Sequence, residues 1–372
     1  MFLRRLSLLV AAGLLALAVS ATAQDFTSEK AAFRAVTVAR GLEHPWALAF
    51  LPGGEMLVTE RPGRMRVVAR DGTLRAPLKG VPAVVAQGQG GLLDVIPDRE
   101  FAANRVIHFC YAEAGEGGSG TALARARLGD DGLSEVRVTF RQLPKTSGGL
   151  HFGCRIVHAR DGLIYMALGE RYQRDRAQDL STHFGKIVRL RTDGSVPPDN
   201  PFVGKAGARP EIFSYGHRNP QGLTLHPQTG AQWMHEHGAR GGDEINLPQA
   251  GRNYGWPVIT HGVDYSGLAI GVGRAAPGLE QPAHFWTPSI APSGMAFYAG
   301  DAIPAWKGSL FVGALSGRQL ARLEFDGTVM QREERLLQNF GERIRDVRSG
   351  PDGFLYLLTD NSDGRIVRLE PR

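Results

Sequence analysis

Ile344-Arg-Asp-Val-Arg-Ser-Gly-Pro-Asp-Gly-Phe-Leu-Tyr-Leu-Leu-Thr359 reads as an apolar strand, a turn of Gly, Pro and Asp, and a second apolar strand. The same unit recurs five times upstream. Trp46-Ala-Leu-Ala-Phe-Leu-Pro-Gly-Gly-Glu-Met-Leu-Val-Thr59 is one copy, and Cys154-Arg-Ile-Val-His-Ala-Arg-Asp-Gly-Leu-Ile-Tyr-Met-Ala-Leu-Gly169 is another. The others begin at Gly91, continuing to Val106-Ile-His-Phe-Cys-Tyr111, at Gly222, and at Gly294, continuing to Leu310-Phe-Val-Gly-Ala314. Several close with a third alternating strand, as in Arg64-Met-Arg-Val-Val68, Gly185-Lys-Ile-Val-Arg-Leu190, Leu320-Ala-Arg-Leu-Glu-Phe325 and Arg365-Ile-Val-Arg-Leu369. Long amphipathic helical patterns are absent, and Gly (48) and Pro (22) are abundant. Six small antiparallel sheets repeated along one chain predict an all-β, six-bladed β-propeller of four-stranded blades. A large β-sandwich or two β domains is the alternative, but no linker-like boundary divides the chain.

The N-terminus reads as an export signal. Arg4 and Arg5 precede the apolar run Leu6–Val19, and Ala21-Thr-Ala23 offers a cleavage site after Ala23. This reading assigns residues 1–23 to a signal peptide, residues 24–372 to one catalytic propeller, and the protein to the periplasm or the medium; a retained anchor is the other reading. No other stretch approaches the roughly 18 apolar residues of a membrane span, so no stable membrane insertion is expected. Loss of two arginines lowers the formal charge from +6 to +4. No long Lys/Arg tract is present, so nucleic acid is not an expected partner. A small polyanion held by a few arginines fits that charge as well. Cys110 and Cys154 are too few for a disulfide framework or a cysteine zinc site. Two buried free thiols are expected, with a disulfide as the alternative in an oxidising compartment.

Glycine-flanked polar clusters stand at the blade entrances: Gln87-Gly-Gln89, Ser147-Gly-Gly-Leu-His151, Ser214-Tyr-Gly-His-Arg218-Asn219 and Gly341-Glu-Arg343-Ile-Arg345-Asp346. Entrance loops of a propeller converge on the mouth of its channel, so these distant segments can build one site. Singly, each has a plainer reading: a capping histidine, a loop tie, a blade-to-blade ion pair at Arg345-Asp346. A fifth segment, His235-Glu-His-Gly-Ala-Arg-Gly-Gly-Asp-Glu244 through Tyr254 to Asp264-Tyr265, offers carboxylates and carbonyls suited to calcium. His235 and His237 suggest zinc instead, yet no third soft ligand stands nearby.

Taken in order, Gly148-Gly-Leu-His-Phe-Gly153, Tyr215-Gly-His-Arg-Asn-Pro-Gln-Gly-Leu223, Gly242-Asp-Glu-Ile-Asn246, Asn253-Tyr-Gly-Trp-Pro257, Trp286-Thr-Pro-Ser-Ile-Ala-Pro-Ser-Gly-Met295 and Arg343-Ile-Arg-Asp-Val347 resemble the soluble PQQ-dependent aldose sugar dehydrogenases of the glucose/sorbosone dehydrogenase family. The resemblance runs from about His44 to Leu369. It implies oxidation of aldoses at C1 to lactones, with hydride passing to calcium-bound pyrroloquinoline quinone (PQQ). His151 matches the general base, and Arg218 the group facing the quinone oxygen. Gln89, Asn219, Arg343 and Arg345 match PQQ-binding positions, and Tyr265 a ring contact. The carbonyls of Gly238 and Ala239 match ligands of the calcium that holds PQQ. Glu244, the Tyr254 carbonyl, Asp264 and Glu280 match a second, structural calcium.

Departures from the glucose-specialised branch are specific. Leu150 replaces an acidic residue, Glu170 stands where an Asp orients the base, Ser316 replaces a PQQ-contacting lysine, and Cys154 replaces a glycine. Its long substrate-side loops are missing, so broad sugar specificity is expected, with a quinone or cytochrome as electron acceptor and a monomer or homodimer as the assembly. Two alternatives stay open: a calcium-dependent propeller lactonase or hydrolase, which needs no arginine set, and a non-enzymatic sugar- or protein-binding propeller.

Overall fold

The computed structural model describes residues 23–372. The predicted signal peptide lies outside the described residues except for Ala23, which opens the strand Ala23–Thr27. Six antiparallel sheets are arranged around a central channel. Their innermost strands are Pro45–Phe50, Leu92–Pro97, Gly153–His158, Pro220–Leu225, Pro292–Phe297 and Ile344–Ser349. Each packs against the next, and the last packs against the first, so the ring is closed. The repeats read from sequence are therefore the blades, numbered one to six in that order.

Four blades have four strands, but blade one has three and blade six has five. The uneven count follows from ring closure. Ala32–Leu42, near the N-terminus, pairs with Gly364–Pro371 from Phe33↔Pro371 to Leu42↔Gly364, and Ala23–Thr27 adds outside it. Closure by hydrogen bonds between the two chain ends replaces an exposed sheet edge with a continuous ladder. The outer edge of blade one is instead covered by an irregular segment whose Arg75 and Leu78 amides reach the Val67 and Met65 carbonyls, both at 2.9 Å. Pro77 and Pro82 lack the amide that a regular fourth strand would need there.

The core lies between blades rather than at a single centre. One cluster runs from Trp46 and Leu57 through Leu92, Phe109 and Leu123 to Ile156 and Met166, uniting blades one to three. A second joins blades five and six around Trp306, Phe311, Val347 and Leu357.

The expectation of two free thiols is corrected. Cys110 and Cys154 form a disulfide, with Cα atoms 6.1 Å apart, because blades two and three press Val106–Gly115 and Gly153–His158 together. Sequence carries no such distance. Cys154 also adopts a left-handed φ of 79°, a conformation that suits glycine and matches the glycine it replaces.

Candidate active site

The inner strands all start at one rim, so the residue just before each strand faces the same opening. His151 precedes Gly153, Arg218 and Asn219 precede Pro220, and Arg343 and Arg345 flank Ile344. Close loop packing fixes them. A side chain on Gly169 would put its Cβ 2.1 Å from the His151 carbonyl, and one on Gly88 would collide with the Gly149 carbonyl. Glycine is the residue that fits at both positions.

His151 is buried and held at a left-handed φ of 53°. Its amide donates to Gln89 Oε1 at 2.9 Å, and its ring Nδ1 lies 2.9 Å from Glu170 Oε2. Glu170 is buried too, and also accepts the Tyr172 amide. A carboxylate accepting from Nδ1–H fixes the tautomer and leaves Nε2 as the basic nitrogen. Burial pushes the His151 pKa below its ordinary value; Glu170 opposes that shift, and Arg218 and Arg171 add to it. The ring is therefore neutral and able to take a proton at pH 7.

Arg218 is buried beside it. Its guanidinium donates to the His237 carbonyl at 3.1 Å, to the Gly238 carbonyl, and to the Tyr265 hydroxyl at 3.5 Å, and it lies 5.2 Å from the Trp256 ring centre. Its Nε has no partner. The Glu236 carboxylate holds its backbone amide and the ring of His217. Arg343 and Arg345 share one carboxylate, Asp360, at 3.0 and 3.4 Å. Burial alone would raise the Asp360 pKa, but Arg345 and Arg343 outweigh it and bring it to about 2.

Two adjoining cavities open at the mouth, and a third, of about 350 Å³ and lined by Glu170, Arg174 and Asp264, shares Arg218, Ala239 and Tyr265 with the larger of the two. His151, Arg218, Gly238, Ala239, Arg240 and Tyr265 line one of about 610 Å³. Arg61, Arg343, Arg345, Asp360 and Trp46 line the other, of about 390 Å³. Gln89, His237, Ala291 and Ser316 line both, so the predicted base and the three predicted arginines face one continuous space.

The fifth segment divides. Glu244 is packed beside Glu236, and the Asn246 amide donates to both carboxylates at 3.2 Å. Burial and the Glu236 charge push the Glu244 pKa up to about 8. Both carboxylates and Tyr254 line a small cavity beneath Arg218. Asp264 and Glu280 are not gathered there. Asp264 accepts from Ser266 and sits 3.9 Å from Arg174 on the outer loop, while Glu280 pairs with Arg252 at 3.3 Å. Asp264 instead lines a neighbouring cavity with Glu170, Arg218 and Tyr265, where the Arg240–Val263 bridge holds its loop. Sequence reasoning passed over Glu236, which lay between two histidines read as zinc candidates, and Asp360, which follows a strand with no glycine motif to mark it.

Residues 42–368 match the glucose/sorbosone dehydrogenase family. An aldose sugar dehydrogenase of Escherichia coli is 51% identical over 338 residues, covering 89% of this chain and 91% of that protein. A crystal structure of a glucose dehydrogenase superposes with a TM-score of 0.89 at 54% identity, covering 90% of this chain and 98% of the other. The PQQ-bound aldose sugar dehydrogenase of Streptomyces coelicolor superposes with a TM-score of 0.77 at 29% identity, over 95% and 99% of the two chains. With its matched length spanning all six blades, the chain belongs to the glucose/sorbosone dehydrogenase family.

Proposed function

We propose that this protein oxidises aldose sugars at C1 to the corresponding lactones, using PQQ held by calcium, with broad sugar specificity. The observation that carries this reading is the charge of the mouth. Among the described residues, Arg61, Arg218, Arg240, Arg343 and Arg345 line the two cavities with one carboxylate, Asp360, while Glu170 and Asp264 line a third cavity on the far side of Arg218 with Arg174. A planar tricarboxylate is the class of ligand that such a surplus of fixed, planar cations would hold. The unpartnered Arg218 Nε and the half-exposed Arg343 leave donors to spare.

PQQ, when bound, would supply the two-electron acceptor for hydride. Arg343, Arg345, Gln89 and Asn219 would hold it, with Tyr265 at its edge and Ser316 at its rim. Calcium fits the donor chemistry of the same wall. The His237 and Gly238 carbonyls already converge on a cation, the Arg218 guanidinium, and the Ala239 backbone lines the same cavity. A second cation beside Glu244, Glu236 and Tyr254 would neutralise a carboxylate pair that burial otherwise forces to share its charge.

In the reaction, His151 Nε2 takes the proton of the C1 hydroxyl. Glu170 holds the ring in that tautomer and stabilises the imidazolium that forms. Arg218 faces the developing negative charge. The absence of charge at Leu150 and the open rim around the exposed Tyr172 and Tyr265 favour acceptance of several aldoses. A quinone or cytochrome would then remove the electrons. The signal sequence supports export, so action in the periplasm or medium is part of the proposal, with residues 24–372 as one catalytic unit.

The test is reconstitution of purified protein with PQQ and calcium. A redox dye should bleach with glucose, xylose or maltose, and PQQ should raise the melting temperature. No dye reduction by any aldose, together with an unchanged melting temperature, would overturn the reading.

A further inference from the structure

Each inner strand that begins at the mouth ends on the opposite face of the ring. Gly153–His158 starts two residues after His151 and ends on His158, roughly 20 Å away for a strand of that length. There His158 meets two residues of blade two. Asp98 directly follows the inner strand Leu92–Pro97, and His108 lies on the next strand opposite Ile96. One ligand atom from each of Asp98, His108 and His158 lies within 4.8 Å of the other two; among the described residues this is the one such group of His, Cys, Asp or Glu.

The hydrogen bonding around these residues is incomplete. His108 Nε2 lies 3.0 Å from Asp98 Oδ2, while His108 Nδ1 has no partner. His158 packs edge-on against His108 with ring centres 5.1 Å apart, and neither of its buried ring nitrogens has a partner. Buried polar atoms normally find partners, and leaving one without is costly. Asp98 Oδ1, in contrast, is occupied by Asn104 and the Glu100 amide, which aims Oδ2 at the histidines.

We propose that Asp98, His108 and His158 form a divalent transition-metal site that ties blade two to blade three on the face opposite the sugar pocket. Two imidazoles and one carboxylate match zinc, which binds such ligands at about 2.0–2.2 Å and keeps a fourth position for water. Two ligands at those lengths stand about 3.3–3.6 Å apart at tetrahedral angles, so Asp98 and His108, now 3.0 Å apart in a hydrogen bond, need to open by only a few tenths of an ångström. His158 closes the triangle by a ring movement that breaks no hydrogen bond. Calcium is disfavoured, because it takes six to eight oxygens. The ligands are also in their binding forms. Burial, helped by His108, pushes the His158 pKa down to about 4 and keeps its lone pair free. Arg99 and Arg125 are the positive groups facing the site, and Arg99 is engaged with the Ala159 and Arg160 carbonyls.

The full chain, purified without an affinity tag and kept in excess calcium to fill oxygen sites, is dialysed against zinc and assayed for bound metal. Wild type should retain one zinc per chain, and zinc should raise its melting temperature. His158→Phe, which keeps an aromatic ring against His108, should lose that zinc and that rise, as should Asp98→Asn, which preserves the Oδ1 contacts. Sugar oxidation in His158→Phe should stay at the wild-type rate. Cobalt in place of zinc should give a visible absorption band in wild type only. No bound zinc in wild type overturns the proposal, and so does equal binding in wild type and a folded variant, which would put the metal elsewhere on the chain.

Discussion

The channel and its mouth contain the same residue types in opposite states of balance. Inside the channel, Arg155 and Arg348 meet Asp94 and Asp346 in a closed network with contacts of 2.7–3.2 Å, and all four come from inner strands. The carboxylates also take the Ile156 and Leu48 amides, so blades one, two, three and six are tied through them. In the two cavities of the mouth that share Gln89 and Ser316, five arginines face one carboxylate, Asp360. Buried charge that is matched serves the fold, whereas cationic charge left in surplus on a cavity wall is charge kept for a ligand. The two regions should therefore respond to substitution in different measurements.

The largest effect belongs to the channel. Asp94→Ala strands Arg155 and Arg348 with one carboxylate between them, and breaking a buried pair costs about 3–5 kcal/mol. Chemical unfolding should show that loss, while turnover per folded molecule stays near wild type. A loss of turnover with unchanged stability would erase the distinction between the two regions. At the mouth the reverse is expected. His151→Ala should cut kcat by at least about two orders of magnitude, with PQQ retention and unfolding free energy close to wild type, because the proposed function assigns the imidazole to proton transfer.

The fold was legible because its signal is repeated: a strand, a Gly- and Asp-containing turn and a strand, six times over. The uneven strand counts were not, because pairing of Ala32–Leu42 with Gly364–Pro371 depends on ring closure and leaves no local pattern. In the candidate site, His151, Arg218, Arg343 and Arg345, which the structure brings to one space, were readable because each stands beside a glycine-rich or Arg-Asp entrance motif. Asp360 and Glu236 could not, since their part is to hold those residues from a neighbouring strand, and contact across strands is invisible in one sequence. The same limit hid the disulfide. Asp264 and Glu280 are carried by one long loop and separate within it: Asp264 lines a cavity with Glu170, Arg218 and Tyr265, whereas Glu280 pairs with Arg252.

A smaller effect should appear at Glu170. Glu170→Gln keeps the shape of the side chain but removes the charge that raises the His151 pKa, so that pKa should fall further. Proton abstraction needs neutral imidazole, which is lost as pH drops through the His151 pKa. The acid limb of the kcat/KM profile should therefore move to lower pH in the variant, alongside a roughly tenfold drop in kcat from poorer ring orientation. A drop in kcat with an unmoved limb would reduce Glu170 to a packing residue.

The smallest effect tests whether the cationic surplus is complete. Ser316 is exposed on the rim between the two cavities, and its amide bonds to the Ile290 carbonyl at 3.2 Å. A lysine there adds one more cation facing the ligand without disturbing that backbone contact. For a partly solvated pair the gain is about 0.5–1 kcal/mol, so Ser316→Lys should tighten PQQ binding roughly two- to fivefold, and added salt should reduce the gain. Titration of apoprotein with PQQ at two ionic strengths measures both. Weaker binding in the variant would mean that the five arginines already saturate the ligand's negative charge, and that the rim at Ser316 serves the sugar instead.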